Sequence, residues 1–313
     1  MKKHYSTPRF CVLLTFLLAL SSLNSFAQNN SITGNIAGLN DTHLKLTGYD
    51  AFKDTLISET TTDGSGRFIL NYPSDYTGSA TLQAANGLSI IVLLSRESFE
   101  MTWENQQDIA SLNFKHSPEN EALYQGMVLH KETTAKLSGL QYLKKLYKNQ
   151  RLGLINKEIY VQEKKLAQFS KKLPKESYGA YYLNLYNLLG NLNAQFNSDP
   201  GRLADLQTQF NSLNFSDNRL STSGLLSPIL DSYFQLLESH YNTDRIYSHA
   251  TTSIHAVLKS LEANPNLQKE TSEYLFHFLG KRKASVNTAS LALQMLPKSN
   301  YQLKDETVSL LKP

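Results

Sequence analysis

Four histidines, His240, His249, His255 and His277, fall within 38 residues, with Glu238, Asp244 and Glu273 nearby. Imidazole and carboxylate groups together could hold zinc, which takes such ligands in a tetrahedral arrangement. A helical zinc site needs ligands on one face, as in His-Glu-x-x-His, and neither that motif nor a histidine pair four residues apart occurs. Glu273 and His277 alone have the spacing, so the histidines are expected on helix surfaces and no metal site is read. Ser216-Asp217-Asn218 matches the middle motif of penicillin-recognising serine enzymes, but no Ser-x-x-Lys precedes it and no Lys-Thr-Gly follows. It is read as a loop. Asp63-Gly64-Ser65-Gly66 lacks the alternating acidic ligands and final glutamate of a calcium loop, and a hairpin turn accounts for it. Trp103, the only tryptophan, alternates with Met101 and Phe99. One strand face carries all three, which reads as core, with an aromatic ligand platform as the alternative. No catalytic or cofactor motif emerges.

The residues with the most to say about partners are basic. Lys144, Lys148 and Arg151 recur at i, i+4 and i+7, and would share one face of a helix whose other face carries Leu143, Leu146, Tyr147 and Leu154. One reading is a solvated face. The other is a stripe that docks on something acidic: the chain's own N-terminal half, an anionic membrane surface or a partner protein. Tyr178, Tyr181, Tyr182 and Tyr186 form a second cluster. Tyrosine has a large apolar body with one polar tip and suits both core and interface; core is the default.

These residues need a scaffold, and the start of the chain bears on its compartment. Lys2, Lys3 and Arg9 precede an apolar run from Phe10 to Leu20, and Ser25-Phe26-Ala27 ends the segment with small residues where a signal peptidase cuts. The run is shorter than the roughly 20 residues that span a bilayer. The expectation is an exported, soluble chain starting at Gln28. Cys11, the only cysteine, lies inside the run and not at the cut, so a lipoprotein is not expected. The chain from Gln28 onward carries 28 Lys and Arg against 27 Asp and Glu, which removes the electrostatic footprint of nucleic-acid binding. Its charge is unevenly placed. Residues 28–130 hold 5 basic and 12 acidic side chains, whereas residues 131–175 hold 12 basic and 3 acidic.

Seven short runs, Ser31–Ala37, Thr42–Thr47, Thr55–Thr61, Arg67–Tyr72, Ser79–Ala84, Ser89–Leu94 and Phe99–Glu104, have strand length and β-type composition. Turn residues separate them. This spacing predicts an antiparallel β-sandwich, with an open barrel as the alternative. At Ser117-Pro118 the apolar period becomes helical, and Asp199-Pro200, Ser227-Pro228 and Asn264-Pro265 repeat the same cap-and-proline start. About eight helices are expected after it. The fold class is therefore α+β, with a β-sandwich over residues 28–116 and a helical array over 117–313, each half with its own apolar period.

Ile32-Thr33-Gly34-Asn35-Ile36, Leu44-Lys45-Leu46, Asp54 and Asp63-Gly64-Ser65-Gly66-Arg67-Phe68, followed by Asn113-Phe114-Lys115-His116-Ser117-Pro118-Glu119-Asn120-Glu121-Ala122-Leu123, together carry a family resemblance. The region Ser31–Tyr124 resembles the N-terminal β-domain of Bacteroidota envelope proteins that are similar to thioredoxin-fold disulfide reductases. The resemblance implies a leader, this β-domain, a helical segment and then a thioredoxin-like domain with Cys-x-x-Cys. Pro313 falls where that last domain would begin, and no cysteine follows Cys11. No catalytic residue carries over. The expected function is an exported, non-catalytic binding or accessory protein of the bacterial envelope with a protein partner. A thiol-disulfide oxidoreductase whose redox domain is missing or supplied by another chain is the alternative. A carrier using a groove between the halves is a third reading, its small ligand unspecified.

Overall fold

The computed structural model describes residues 29–147, 151–194, 200–241 and 243–280. The expected leader, residues 1–27, lies outside the described residues. Eight strands come first: β1 (Asn29–Ile36), β2 (His43–Asp50), β3 (Lys53–Thr61), β4 (Arg67–Pro73), β5 (Thr77–Ala84), β6 (Ser89–Ser95), β7 (Phe99–Trp103) and β8 (Leu112–Lys115). They form two four-stranded sheets, ordered β4-β1-β7-β8 and β3-β2-β5-β6. Period-two patterning decides which side chains meet between the sheets. On β4, Phe68, Leu70 and Tyr72 turn inward and Arg67, Ile69 and Asn71 outward. On β7, Phe99, Met101 and Trp103 turn inward, and the Trp103 indole N–H donates to the Asp108 carbonyl at 3.1 Å.

Two features differ from the expectation of seven antiparallel strands. The short β8 adds an eighth by pairing with β7, and β1 runs parallel to β7 while pairing antiparallel with β4. The Asp63 turn, expected to close a hairpin, instead carries the chain from one sheet to the other, because β3 pairs with β2 and β4 with β1. The Asp63 carboxylate accepts from the Ser65 and Arg67 backbone N–H groups at 2.8 and 3.0 Å, and these bonds, led by that from Arg67, hold it below the usual carboxylate range. Gly66 sits at φ +81, and a Cβ there would lie 2.3 Å from the Ile36 carbonyl oxygen. Only glycine fits that turn.

Eight helices follow among the described residues: α1 (Pro118–Leu146), α2 (Arg151–Lys172), α3 (Tyr178–Leu192), α4 (Pro200–Asn211), α5 (Asn218–Ser221), α6 (Leu226–His240), α7 (Thr243–Ser260) and α8 (Pro265–Gly280). Proline opens α1, α4 and α8 as read from sequence. It does not open α6, which begins two residues before Pro228 without a side-chain cap. The first-turn N–H groups of a helix have no internal partner, so proline is tolerated at several of these positions and does not mark the first one.

The halves differ in secondary structure at the expected boundary, yet one buried apolar cluster runs through both. Strand β6 shows why. It is an edge strand whose two faces are both covered, with Ile90, Val92 and Leu94 buried as well as Leu93. An exposed strand edge offers unpaired N–H and C=O groups, and α1 supplies their partners. The Asn120 amide accepts from Leu93 N–H at 2.7 Å and donates to Leu93 C=O at 2.8 Å, while Tyr124 donates to the Ile91 carbonyl at 2.7 Å. Ser117, expected to cap α1 directly, makes no cap bond; its hydroxyl instead accepts from Asn120 at 2.8 Å. Glu119 places its carboxylate on the N-terminus of α3, 2.6 Å from the Gly179 N–H and 2.5 Å from the Ser177 hydroxyl. A carboxylate there meets both free N–H groups and the positive end of the helix dipole. Further along, the end of α5 meets the β2–β3 turn and β5, with the Ala51 and Ser79 N–H groups donating to the Ser221 and Thr222 carbonyls.

Candidate docking arm

Helices α1 and α2 form an antiparallel hairpin, and only its base is integrated with the core. The buried residues of α1, Asn120, Leu123, Tyr124, Gly126 and Thr133, all lie in its first sixteen positions. From Tyr142 to Tyr147 every residue is exposed. The apolar side chains there, expected to be buried along one stripe, are instead on the surface. Tyr142 is 61% exposed, Leu146 60% and Leu154 74%, with Leu143, Tyr147, Tyr160 and Val161 also open. The assumption that helical apolar spacing implies burial fails because, among the described residues, no other element covers these side chains.

The basic stripe changes as well. Lys144 lies in the last turn of α1, and Tyr147 ends that helix with extended backbone, φ −100 and ψ 142. Arg151 is the first residue of a new helix, α2, and Lys148 lies outside the described residues. Lys144 and Arg151 therefore belong to two different helices and not to one continuous face. In sequence, the stretch from Thr133 to Lys157 contains six Lys or Arg and no Asp or Glu.

Below the tip, α1 to α4 enclose a crevice of about 460 Å³ lined by His130, Leu137, Gln141, Glu163, Asn191 and Arg202, among others. A neighbouring lobe of about 320 Å³ shares several of these residues and reaches Asn187, Asp205 and Gln209. Sequence reasoning did not single out His130, which belongs to no motif. Its Nδ1 and the Asn187 Oδ1 are buried without a protein hydrogen-bond partner, and its ring meets Tyr186 edge-on at 5.2 Å. Arg202 lines both lobes together with the Glu163 carboxylate, and Asp205 lines the second. Burial of the imidazole pushes the His130 pKa below the usual histidine value, against an opposing contribution from Asn187. A histidine held neutral in the fold favours the folded state above its unfolded pKa of about 6.5, and that advantage is lost as pH falls. Thermal melts from pH 7.5 down to pH 5.5 should therefore show a midpoint falling with acidification, and His130→Leu should flatten that slope. A slope unchanged by the variant would assign it to other groups.

The other sequence candidates have structural places. His249 stacks on Tyr241 at 4.1 Å and contacts Gln207 at 3.1 Å, His240 contacts the Leu236 carbonyl at 3.0 Å, and His255 and His277 are exposed. Among the described residues, no three His, Cys, Asp or Glu side chains come together as a metal site. Asp217 of the Ser-Asp-Asn motif caps α5 by accepting from Arg219 N–H at 2.9 Å. Burial works against its charge, but the Arg219 guanidinium and backbone N–H hold it below the usual carboxylate range. Tyr178 and Tyr182 are core residues, and the Tyr178 hydroxyl accepts from Ser79 N–H at 3.2 Å across the two halves. Burial pushes its pKa far above the ordinary tyrosine value. Among the described residues, no helix is long and apolar enough to cross a membrane.

The chain is thus an α+β protein of two sheets and a helical array with a projecting hairpin. No protein-family model matches it, and no curated protein matches it in sequence.

Proposed function

We propose that this is an exported, non-catalytic accessory protein of the bacterial envelope, in which the sandwich and helical core hold out the α1–α2 arm to dock on an acidic envelope component. The observation that carries this reading is the concentration of exposed Tyr and Leu side chains at the arm tip, in a stretch without a carboxylate. Clusters of large exposed apolar residues mark interaction sites. The leader read at residues 1–27 supports the compartment. The resemblance of Ser31–Tyr124 to the β-domain of thioredoxin-like envelope proteins supports a second reading, an accessory chain of a thiol-disulfide enzyme. Residues 28–313 contain no cysteine, so they supply no reacting thiol to that scheme.

Cell fractionation tests the docking reading. The wild-type chain should stay with envelope material at low salt and be released at high salt, because exposed charges are screened within about 10 Å at 0.1 M. The double variant Leu146→Ser, Leu154→Ser should move to the soluble fraction while keeping its helical spectrum, since neither side chain is buried. Equal retention of the variant would refute docking through the arm.

A further inference from the structure

We infer that the surface the arm engages is an anionic phospholipid headgroup layer, with Tyr142, Leu143, Leu146 and Leu154 entering the interface and Lys144 and Lys157 at the headgroups. This rests on the docking reading above and names its occupant. Three observations favour lipid. First, the stretch from Thr133 to Lys157 holds six basic residues and no acidic one, and runs of juxtamembrane Lys and Arg are drawn to anionic leaflets. Second, the mixture is wrong for a protein interface. The cores of protein interfaces are depleted in lysine, whereas surface-seeking helices combine lysine with large apolar residues, and tyrosine belongs at the headgroup level. Lysine stems can lie along apolar surface with the ammonium in water, so Lys144 beside exposed Leu143 and Leu146 has a settled place at a headgroup layer. Third, the geometry gives a shallow wedge. Gln141 is the last α1 residue lining the crevice against α3, and the five residues to Leu146 extend about 8 Å beyond it. Interfacial helices bury their apolar side to about 5–10 Å.

The other occupants fit less well. A second copy meeting tip to tip would bring like charges together. Residues 281–313 of the same chain carry six basic and two acidic side chains, so they too would be repelled. The chain's own acidic half lies at the other end of the arm, since α1 borders the sandwich as far as Glu132 and reaches Tyr142 about 15 Å further along its axis.

The test is flotation of the full chain with vesicles of phosphatidylcholine alone and of phosphatidylcholine with phosphatidylglycerol. Binding is expected only with phosphatidylglycerol, falling as salt is added. Lys144→Gln with Lys157→Gln should weaken it about 25-fold, from about fivefold per lysine. In a Leu154→Trp variant, brominated phosphatidylcholine included in the vesicles should quench the new indole while Trp103, 5% exposed, gives a constant background. Equal binding to both vesicle types, binding that survives Leu146→Ser with Leu154→Ser, or an unquenched Leu154→Trp indole would overturn the inference. If vesicles fail but tip-dependent retention in the envelope persists, the occupant is an acidic protein and the docking reading stands. If both fail, both fall.

Discussion

Replacing Asn120 with leucine should lower the thermal midpoint sharply, and by more than the neighbouring change Tyr124→Phe. Asn120 is fully buried and serves as a peptide group for the exposed edge of β6, meeting both the N–H and the C=O of Leu93. Leucine fills similar space but leaves both backbone groups dry and unpaired, at about 1–3 kcal/mol each. Tyr124→Phe orphans only the Ile91 carbonyl, so its cost should be about half as large. Asn120→Asp is informative too. It keeps an acceptor for Leu93 N–H but sets a carboxylate oxygen against Leu93 C=O, so it should not restore stability. The summed loss for the leucine variant, about 2–6 kcal/mol, is a large share of the 5–15 kcal/mol that holds a typical protein folded. Denaturant unfolding with paired far-ultraviolet and near-ultraviolet signals would measure it. A leucine variant as stable as the wild type would show that β6 does not depend on this clamp.

This places a physical meaning on a sequence feature that resemblance alone left unexplained. Ser117-Pro118-Glu119-Asn120 reads as a helix start, and it is one. Its side chains, however, do not cap α1. Asn120 and Ser117 hold the sheet edge and Glu119 holds the start of α3, so the segment is the joint between sandwich and helices. Such a role depends on partners 27 and 60 residues away in the chain and has no local signature.

Local patterns were readable where one physical rule dominated. Alternation located β4 and β7, and proline located the starts of α1, α4 and α8. What depended on partners was not. Strand β8 is four residues long, too short for a period, and the parallel pairing of β1 with β7 is a choice of neighbour that no single strand encodes. The break at Tyr147 was hidden because Leu143, Leu146 and Leu154 continue a helical spacing straight across it. Whether such a stretch stays one helix or folds back as two is decided by α2 packing along α1. The charge run at the tip was visible in sequence; the exposure of its apolar residues was not, because periodicity reports a face and not what covers it. His130 was missed for the same reason, since α2, α3 and α4 create its surroundings.

The second large effect lies in the helical core. Phe210 of α4 is fully buried and lies flat on Tyr233 of α6, with ring centroids 3.6 Å apart and planes 3° from parallel. Phe215 and Phe234 meet it edge-on at 5.4 and 6.1 Å. Tyr233 in turn shares a hydrogen bond of 2.5 Å with Ser253 of α7, so one ring ties three helices together. Phe210→Ala should cost about 3–5 kcal/mol, combining lost transfer energy with the cavity left between rings that cannot all collapse inward. Phe210→Leu keeps most of the volume and should cost less, because it loses the stacking geometry but little of the burial. The unfolding transition should stay single in both variants, since the buried cluster continues from these helices into the sandwich. Two separated transitions in Phe210→Ala, with the β signal persisting after the helical signal is lost, would show instead that the sandwich stands without the helices. In that case the separate apolar periods of the two halves would outweigh the continuous core.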